Sequence, residues 1–368
     1  MKGKAAVFMG VNTPFEVQQF EVVAPSPGYA RSRLIASGVC GTDIHIHTGR
    51  LGCNCPQIIG HEFVGEVEAI GEADSAVYGI EKGDNVIVDI AIPCGECALC
   101  KAGDDANCVN MQVSNGGNPA KSPYFHGGYG EYNFSPVSNL INLPKSVNPL
   151  AAAVFACPGP TAIHAFNLAK KGGFDPASAK VAVVQGTGAV GSFALAYLSS
   201  LKVEHIIALT VVDREEQVTL ARKLGATEVI DIRETSQEEI LARVHELSGS
   251  LGADLVFEAS GNPNAVPMGM NLLRNRGVYL VPGQYSNSGA VEIQPQLITF
   301  KALHIIGSSQ YSICDVKEYV KFLEKTPELS DTILSLATCY NIADVNKAFT
   351  DAKARKNIKT VLTGDIKR

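Results

Sequence analysis

The stretch V-A-V-V-Q-G-T-G-A-V-G-S-F-A-L-A-Y-L, residues 181–198, decides the fold. Its opening residues are apolar and largely β-branched, as in a buried strand. Gly186, Gly188 and Gly191 then make G-x-G-x-x-G, and an Ala- and Leu-rich run with helical character follows. Strand, glycine turn and helix in that order suit a dinucleotide. The first glycine permits the tight turn, the second lets backbone approach a pyrophosphate, and the third lets the helix pack closely on the strand. The candidate cofactor contacts here are Gly186, Gly188, Ala189, Val190 and Gly191. Asp213, 22 residues beyond Gly191 and at the end of the next apolar run, stands where a carboxylate would accept the adenosine ribose hydroxyls. Its charge repels a 2′-phosphate and so favours NAD over NADP. Arg214 beside it is the candidate to meet such a phosphate, which tempers that preference.

Outward from this turn the same alternation continues. Strand-like runs at 206–212, 228–232, 253–259, 277–281 and 303–307 are separated by helical stretches, the pattern of a parallel sheet covered on both faces. The N-terminal part differs: short β runs such as 64–71 and 85–90 are broken by Gly, Pro and Asp turns. A chain of 368 residues exceeds what one core usually supports, so two domains are expected. The nucleotide domain is expected at 158–305. A strand-rich domain at 1–157 would be completed by 306–368, since so short a C-terminal piece does not make an ordinary domain of its own.

Cys94, Cys97, Cys100 and Cys108 lie in C-G-E-C-A-L-C-K-A-G-D-D-A-N-C. Four thiolates at that spacing suit one tetrahedral zinc with every position filled, a structural clip with no room for substrate. Pro93, Gly95 and Gly103 mark a loop, which argues against a redox C-x-x-C at the head of a helix. Cys40 in G-V-C-G-T-D-I-H and His61 in I-I-G-H-E-F-V-G-E-V offer half of a second site. Cys157 is the best candidate for its third ligand, with Asp43 as acceptor for the His61 ring N–H and Glu62 as an alternative ligand.

Composition narrows the partners. A net charge of −6 without basic blocks argues against nucleic acid and membrane surfaces. No run approaches the ~20 apolar residues that span a bilayer. The N-terminal apolar stretch, A-A-V-F-M, is shorter than a secretory core of about 7 to 15 residues, so a cytoplasmic chain with reduced thiols is expected.

The order of these motifs, with G-H-E-F-V-G-E-V-E-A-I-G, G-D-N-V, G-G-Y-G-E-Y-N-F and F-A-C-P-G-P-T-A-I-H-A, resembles the zinc-dependent medium-chain alcohol dehydrogenases over essentially the whole chain. Within them it looks closest to the polyol and threonine dehydrogenase-like branch. The resemblance implies an α/β fold: a doubly wound Rossmann sheet for NAD and a GroES-like strand-rich catalytic domain holding two zinc ions. It assigns Cys40, His61 and Cys157 to the catalytic zinc and the cysteine quartet to the structural zinc. Glu62 becomes an exchangeable carboxylate, Thr42 the hydroxyl that meets the substrate alcohol, and His45 the outer member of a proton relay. Thr161 joins the cofactor contacts. The implied reaction passes a hydride between NAD and a secondary alcohol or polyol, giving a ketone or aldehyde, in a homodimer or homotetramer. Rival readings are a formaldehyde- or glutathione-adduct-type zinc dehydrogenase, and a nucleotide-binding protein that kept the metals without turnover. Two departures stand out: Asp74 where the family has a small or aliphatic residue, and Cys157 where the polyol branch often has Glu. Arg50, Leu51, Cys53, Cys55, Tyr124, Phe125 and His126 occupy segments that line the substrate cleft in the family, and Gln310 and Tyr311 are expected to approach it from the returning segment.

Overall fold

The computed structural model describes residues 1–364. By contacts the chain divides into Met1–Cys157 with Ser312–Arg368, and Pro158–Tyr311.

The second unit is built on six parallel strands, Val181–Gln185, His205–Thr210, Glu228–Asp231, Ala253–Glu258, Leu273–Val281 and His304–Gly307. Numbered along the chain, their spatial order is 3-2-1-4-5-6, the doubly wound arrangement that reverses direction beside the first strand. Val181, Val183, Ile207, Leu209 and Val256 are buried, as strands covered on both faces require. Since His304–Gly307 pairs along Leu273–Val281, the unit runs on to Tyr311.

The first unit centres on the long strand Tyr29–Gly38, which pairs antiparallel with Glu62–Ile70. Asn85–Val88 and Leu140–Asn142 extend the sheet on that side, and Tyr132–Pro136 pairs with the other part of Tyr29–Gly38. The C-terminal segment returns through Lys359–Thr363, which lies antiparallel to Tyr29–Gly38 and parallel to Ala337–Asn341. Register decides what meets what: Gly38 faces Glu62 on one neighbour and Val361 on the other. The core beneath gathers Phe8, Phe15, Phe63, Phe125, Tyr129 and Phe349.

Candidate functional site

The cysteine quartet is folded by its own loop. The Sγ of Cys97 accepts the Cys100 N–H at 3.5 Å as the N-cap of the short helix Ala98–Lys101, that of Cys94 accepts the Cys97 N–H at 3.4 Å, and that of Cys108 the Cys94 N–H at 3.2 Å. The N–H groups of Cys100 and Val109 bring the Cys97 thiol down to about 6, whereas desolvation first, then its fellow sulfurs, push Cys100 up to about 12. The four sulfurs lie within 4.8 Å of one another, and Cys94 and Cys108 are 3.5 Å apart. Sulfurs 2.3 Å from a tetrahedral zinc would be about 3.8 Å apart, so the donor set fits that ion.

The second group is assembled from three places. Cys40 follows the strand Tyr29–Gly38 and precedes the helix Gly41–His47, His61 precedes the strand Glu62–Ile70, and Cys157 ends the first unit. One ligand atom from each of these, and one from Glu62, fall within 4.8 Å of one another, and the two sulfurs are 3.9 Å apart. Here the charge is set by neighbouring side chains. The hydrogen bond from Cys157 holds Cys40 well below the usual thiol range; burial opposes this and His61 reinforces it. Cys157 is raised by the same bond and by burial. The two sulfurs are thus placed to hydrogen-bond each other, and a metal at this point would compete with protons for both.

Asp43 orients this group. Its Oδ2 accepts the Cys40 N–H at 2.9 Å and the Tyr129 hydroxyl at 2.7 Å, while Oδ1 lies 3.4 Å from His61 Nδ1. Burial would lower His61, but the charges of Asp43 and Cys40 raise it well above its ordinary value. With Nδ1 turned to a carboxylate, Nε2 is the ring nitrogen left for a metal. Tyr129 is fully buried, and burial and Asp43 both raise it, so its phenol stays protonated and donates. The motif G-G-Y-G-E-Y-N-F contained Tyr129, but nothing in the spacing pointed to Asp43 as its partner.

Lys359 was missed altogether. Its ammonium forms an ion pair with Glu62, both side chains almost wholly buried. Neither Glu62 oxygen has another hydrogen-bond partner among the described residues, and burial pushes the carboxyl up to about 7 against the opposing charges of Lys359 and His61. Burial works against the Lys359 charge, yet Glu62 and Cys40 raise it above its usual range. The pair occupies room left by Gly38: a Cβ there would lie 1.7 Å from a Glu62 oxygen and 2.8 Å from Lys359 Cε. A lysine in a strand reading K-T-V-L-T gives no sequence signal for this role.

Thr42 and His45 lie one turn apart on the helix Gly41–His47, hence on one face. Thr42 Oγ1 is 3.7 Å from Cys40 Sγ. Burial, then Arg50, lowers His45, so it is a neutral acceptor at pH 7.

In the second unit the glycine turn takes the shape its pattern requires. Gly186 has φ +90°, and a Cβ on Gly191 would meet the Gly186 carbonyl at 1.9 Å. Gly188 caps the helix Ala189–Ser200 and faces open space. A pyrophosphate fits a cradle of this kind, with free N–H groups at a helix N-terminus. The loop from Glu258 backs it: Glu258 Oε1 accepts the Ser260 N–H at 2.7 Å, the Gly261 N–H at 2.9 Å and the Ser260 hydroxyl at 2.5 Å, while Ser260 packs on Gly186. Asp213 and Arg214 follow the strand His205–Thr210, and Thr161 is half-buried in the helix Pro158–Lys171.

The structure gives several of the residues expected near the cleft other contacts. Phe125 is fully buried, edge-on to Phe20 and Tyr132, because its ring fills the first unit's core. Tyr124 stacks on Phe20. Gln310 and Tyr311 close the second unit instead of opening the returning segment, and Gln310 donates to the Tyr285 hydroxyl at 3.3 Å. Asp74 is half-buried on the helix Glu72–Tyr78 and accepts the Gly28 N–H at 2.8 Å, tying that helix to the turn before Tyr29–Gly38. His47 packs among Phe8, Phe15 and Phe349.

Comparison with known proteins agrees with this architecture. Residues 26–145 match the alcohol dehydrogenase GroES-like domain, and residues 189–325 the zinc-binding dehydrogenase family. The chain is 31% identical to 5-exo-hydroxycamphor dehydrogenase of Pseudomonas putida, covering 99% of both. It is 30% identical to L-threonine 3-dehydrogenase of Pyrococcus horikoshii over 79% of this chain and 78% of that one. The crystal structure of an alcohol dehydrogenase from Thermotoga maritima superposes with a TM-score of 0.89 at 26% identity, covering 99% of this chain and all of that one. With the motifs, the doubly wound sheet and both donor groups in place, the chain belongs to the zinc-dependent medium-chain alcohol dehydrogenases, in their polyol and threonine dehydrogenase-like branch.

Proposed function

We propose that this protein is a zinc-dependent oxidoreductase that interconverts a secondary alcohol or polyol and its ketone with NAD as hydride acceptor. The observation that carries the reading is the asymmetry of the second donor group. Two sulfurs and an imidazole converge on one point, while the fourth candidate, Glu62, is paired with Lys359. Three protein ligands and one exchangeable position are what a catalytic zinc needs. Bound there, zinc supplies a Lewis acid for the substrate oxygen, and the nicotinamide supplies the hydride acceptor.

This chain's own residues do the rest. Asp43, braced by Tyr129, orients His61 and the Cys40 backbone. Thr42, beside Cys40, accepts the hydrogen bond of the substrate hydroxyl, and His45, neutral and one turn on, passes its proton to solvent. Gly186 to Gly191 cradle the pyrophosphate, Thr161 and Arg214 add contacts, and Asp213 takes the adenosine ribose, which favours NAD over NADP. The quartet holds a second, structural zinc. An alcohol and ketone panel followed at 340 nm with both cofactors, beside a metal count, tests this. Two zinc ions per chain and NAD-linked turnover of secondary alcohols are expected. Turnover after zinc removal, or none with any alcohol or ketone, defeats the proposal.

A further inference from the structure

Asp213 does not stand alone at the end of its strand. Arg233, just beyond the neighbouring strand Glu228–Asp231, lays its guanidinium across it. Nη1 donates to Asp213 Oδ1 at 3.0 Å, and Nη2 donates to Asp231 Oδ2 at 3.2 Å and to the Val212 carbonyl. The Arg233 N–H also donates to Asp231 Oδ1 at 3.0 Å, so the arginine is fixed from its own backbone outward. Asp213 is held in turn, since its N–H and that of Arg214 donate to Gln217 Oε1 at 2.8 and 3.1 Å. The Asp213 side chain is 64% exposed, and the Arg233 contact leaves Oδ2 free for a ligand.

We propose that Arg233 is a specificity-determining residue of the nucleotide site: it receives the 2′-phosphate of NADP(H) by exchanging the Asp213 carboxylate for it. The chain therefore accepts both cofactors, with a preference set by the Asp213–Arg233 pair and not by Asp213 alone. This rests on the reading that Asp213 meets the adenosine ribose. An exposed carboxylate–guanidinium pair is worth little in water, so giving it up is easy. A phosphate offers the planar guanidinium fork a better partner than a single carboxylate oxygen. For NAD(H), the same arginine occupies one Asp213 oxygen, leaving Oδ2 for a ribose hydroxyl. Arg214, the neighbour in sequence, makes no side-chain contact with Asp213 among the described hydrogen bonds and ion pairs, whereas Arg233, twenty positions on, does.

The test is a fluorescence titration of NADH and NADPH on the zinc-loaded protein, with no turnover required. Arg233→Gln should weaken NADPH roughly tenfold, the usual scale of one charge-assisted hydrogen bond, and leave NADH within about twofold. Asp213→Asn should tighten NADPH and weaken NADH. Arg214→Gln should move NADPH by less than Arg233→Gln does. Unchanged NADPH affinity in Arg233→Gln overturns the inference, as does an equal loss for both dinucleotides, which would mark a structural role. A parent that binds NADH normally while Arg233→Gln changes nothing defeats this inference alone. A parent that binds neither dinucleotide defeats the nucleotide reading with it.

Discussion

The two donor groups hold cysteines by opposite means. In the quartet, sulfurs within one loop accept N–H groups of that same loop, and three of the four cysteines are only half-buried. Around Cys40, His61 and Cys157 the backbone contributes little. Charge is balanced by side chains brought from far along the chain: Asp43 with Tyr129, and Glu62 with Lys359. A local cage can form wherever its loop forms. The second group exists only when strands separated by some 300 residues lie side by side, and its buried charges make every missing partner expensive.

The sharpest way to break that comparison is Cys40→Ala. Turnover should be lost, roughly a thousandfold or more, with one zinc of two missing and NADH binding intact. Retained turnover would mean the chemistry lies elsewhere. Lys359→Met comes next, because it strands the Glu62 carboxylate in the core. A loss of about 3–5 kcal/mol in urea unfolding is expected, and the double change with Glu62→Gln should recover most of it. If the double variant is no better than the single one, the two residues do not act as a pair. Removing the quartet's metal with Cys97→Ser should lower the melting temperature and impair assembly before it slows the chemical step. An equal fall in both rate and stability would erase the distinction between the groups. The smallest change is Tyr129→Phe, which deletes one hydrogen bond to Asp43. Zinc retention against a chelator should fall about tenfold with the fold intact. No change in retention would show that Asp43 holds His61 unaided.

Legibility followed distance along the chain. The glycine turn and the quartet are local patterns, and each could be read because its physical requirement sits inside about fifteen consecutive residues. Cys40, His61 and Cys157 could be nominated only by residue type and by likeness to a family. Tyr129 and Phe125 show why the rest stayed hidden. Both are aromatic residues in one short segment, equally plausible as core or site. Only packing sends Phe125 into the Phe20 and Tyr132 cluster and turns the Tyr129 hydroxyl to Asp43. Arg214 and Arg233 repeat the lesson in the second unit, where adjacency in sequence suggested one arginine and parallel strand pairing delivered the other.

By itself, then, the sequence determined the alternating strand and helix order, the nucleotide turn and the thiolate cage. These depend on backbone conformation and on donors close together in the chain. The tertiary structure decided which charges meet. Lys359 reaches Glu62 because the returning strand lies beside Tyr29–Gly38 and Gly38 leaves room for both side chains. Buried electrostatics depend on separation in space and on desolvation, and neither is written in sequence spacing.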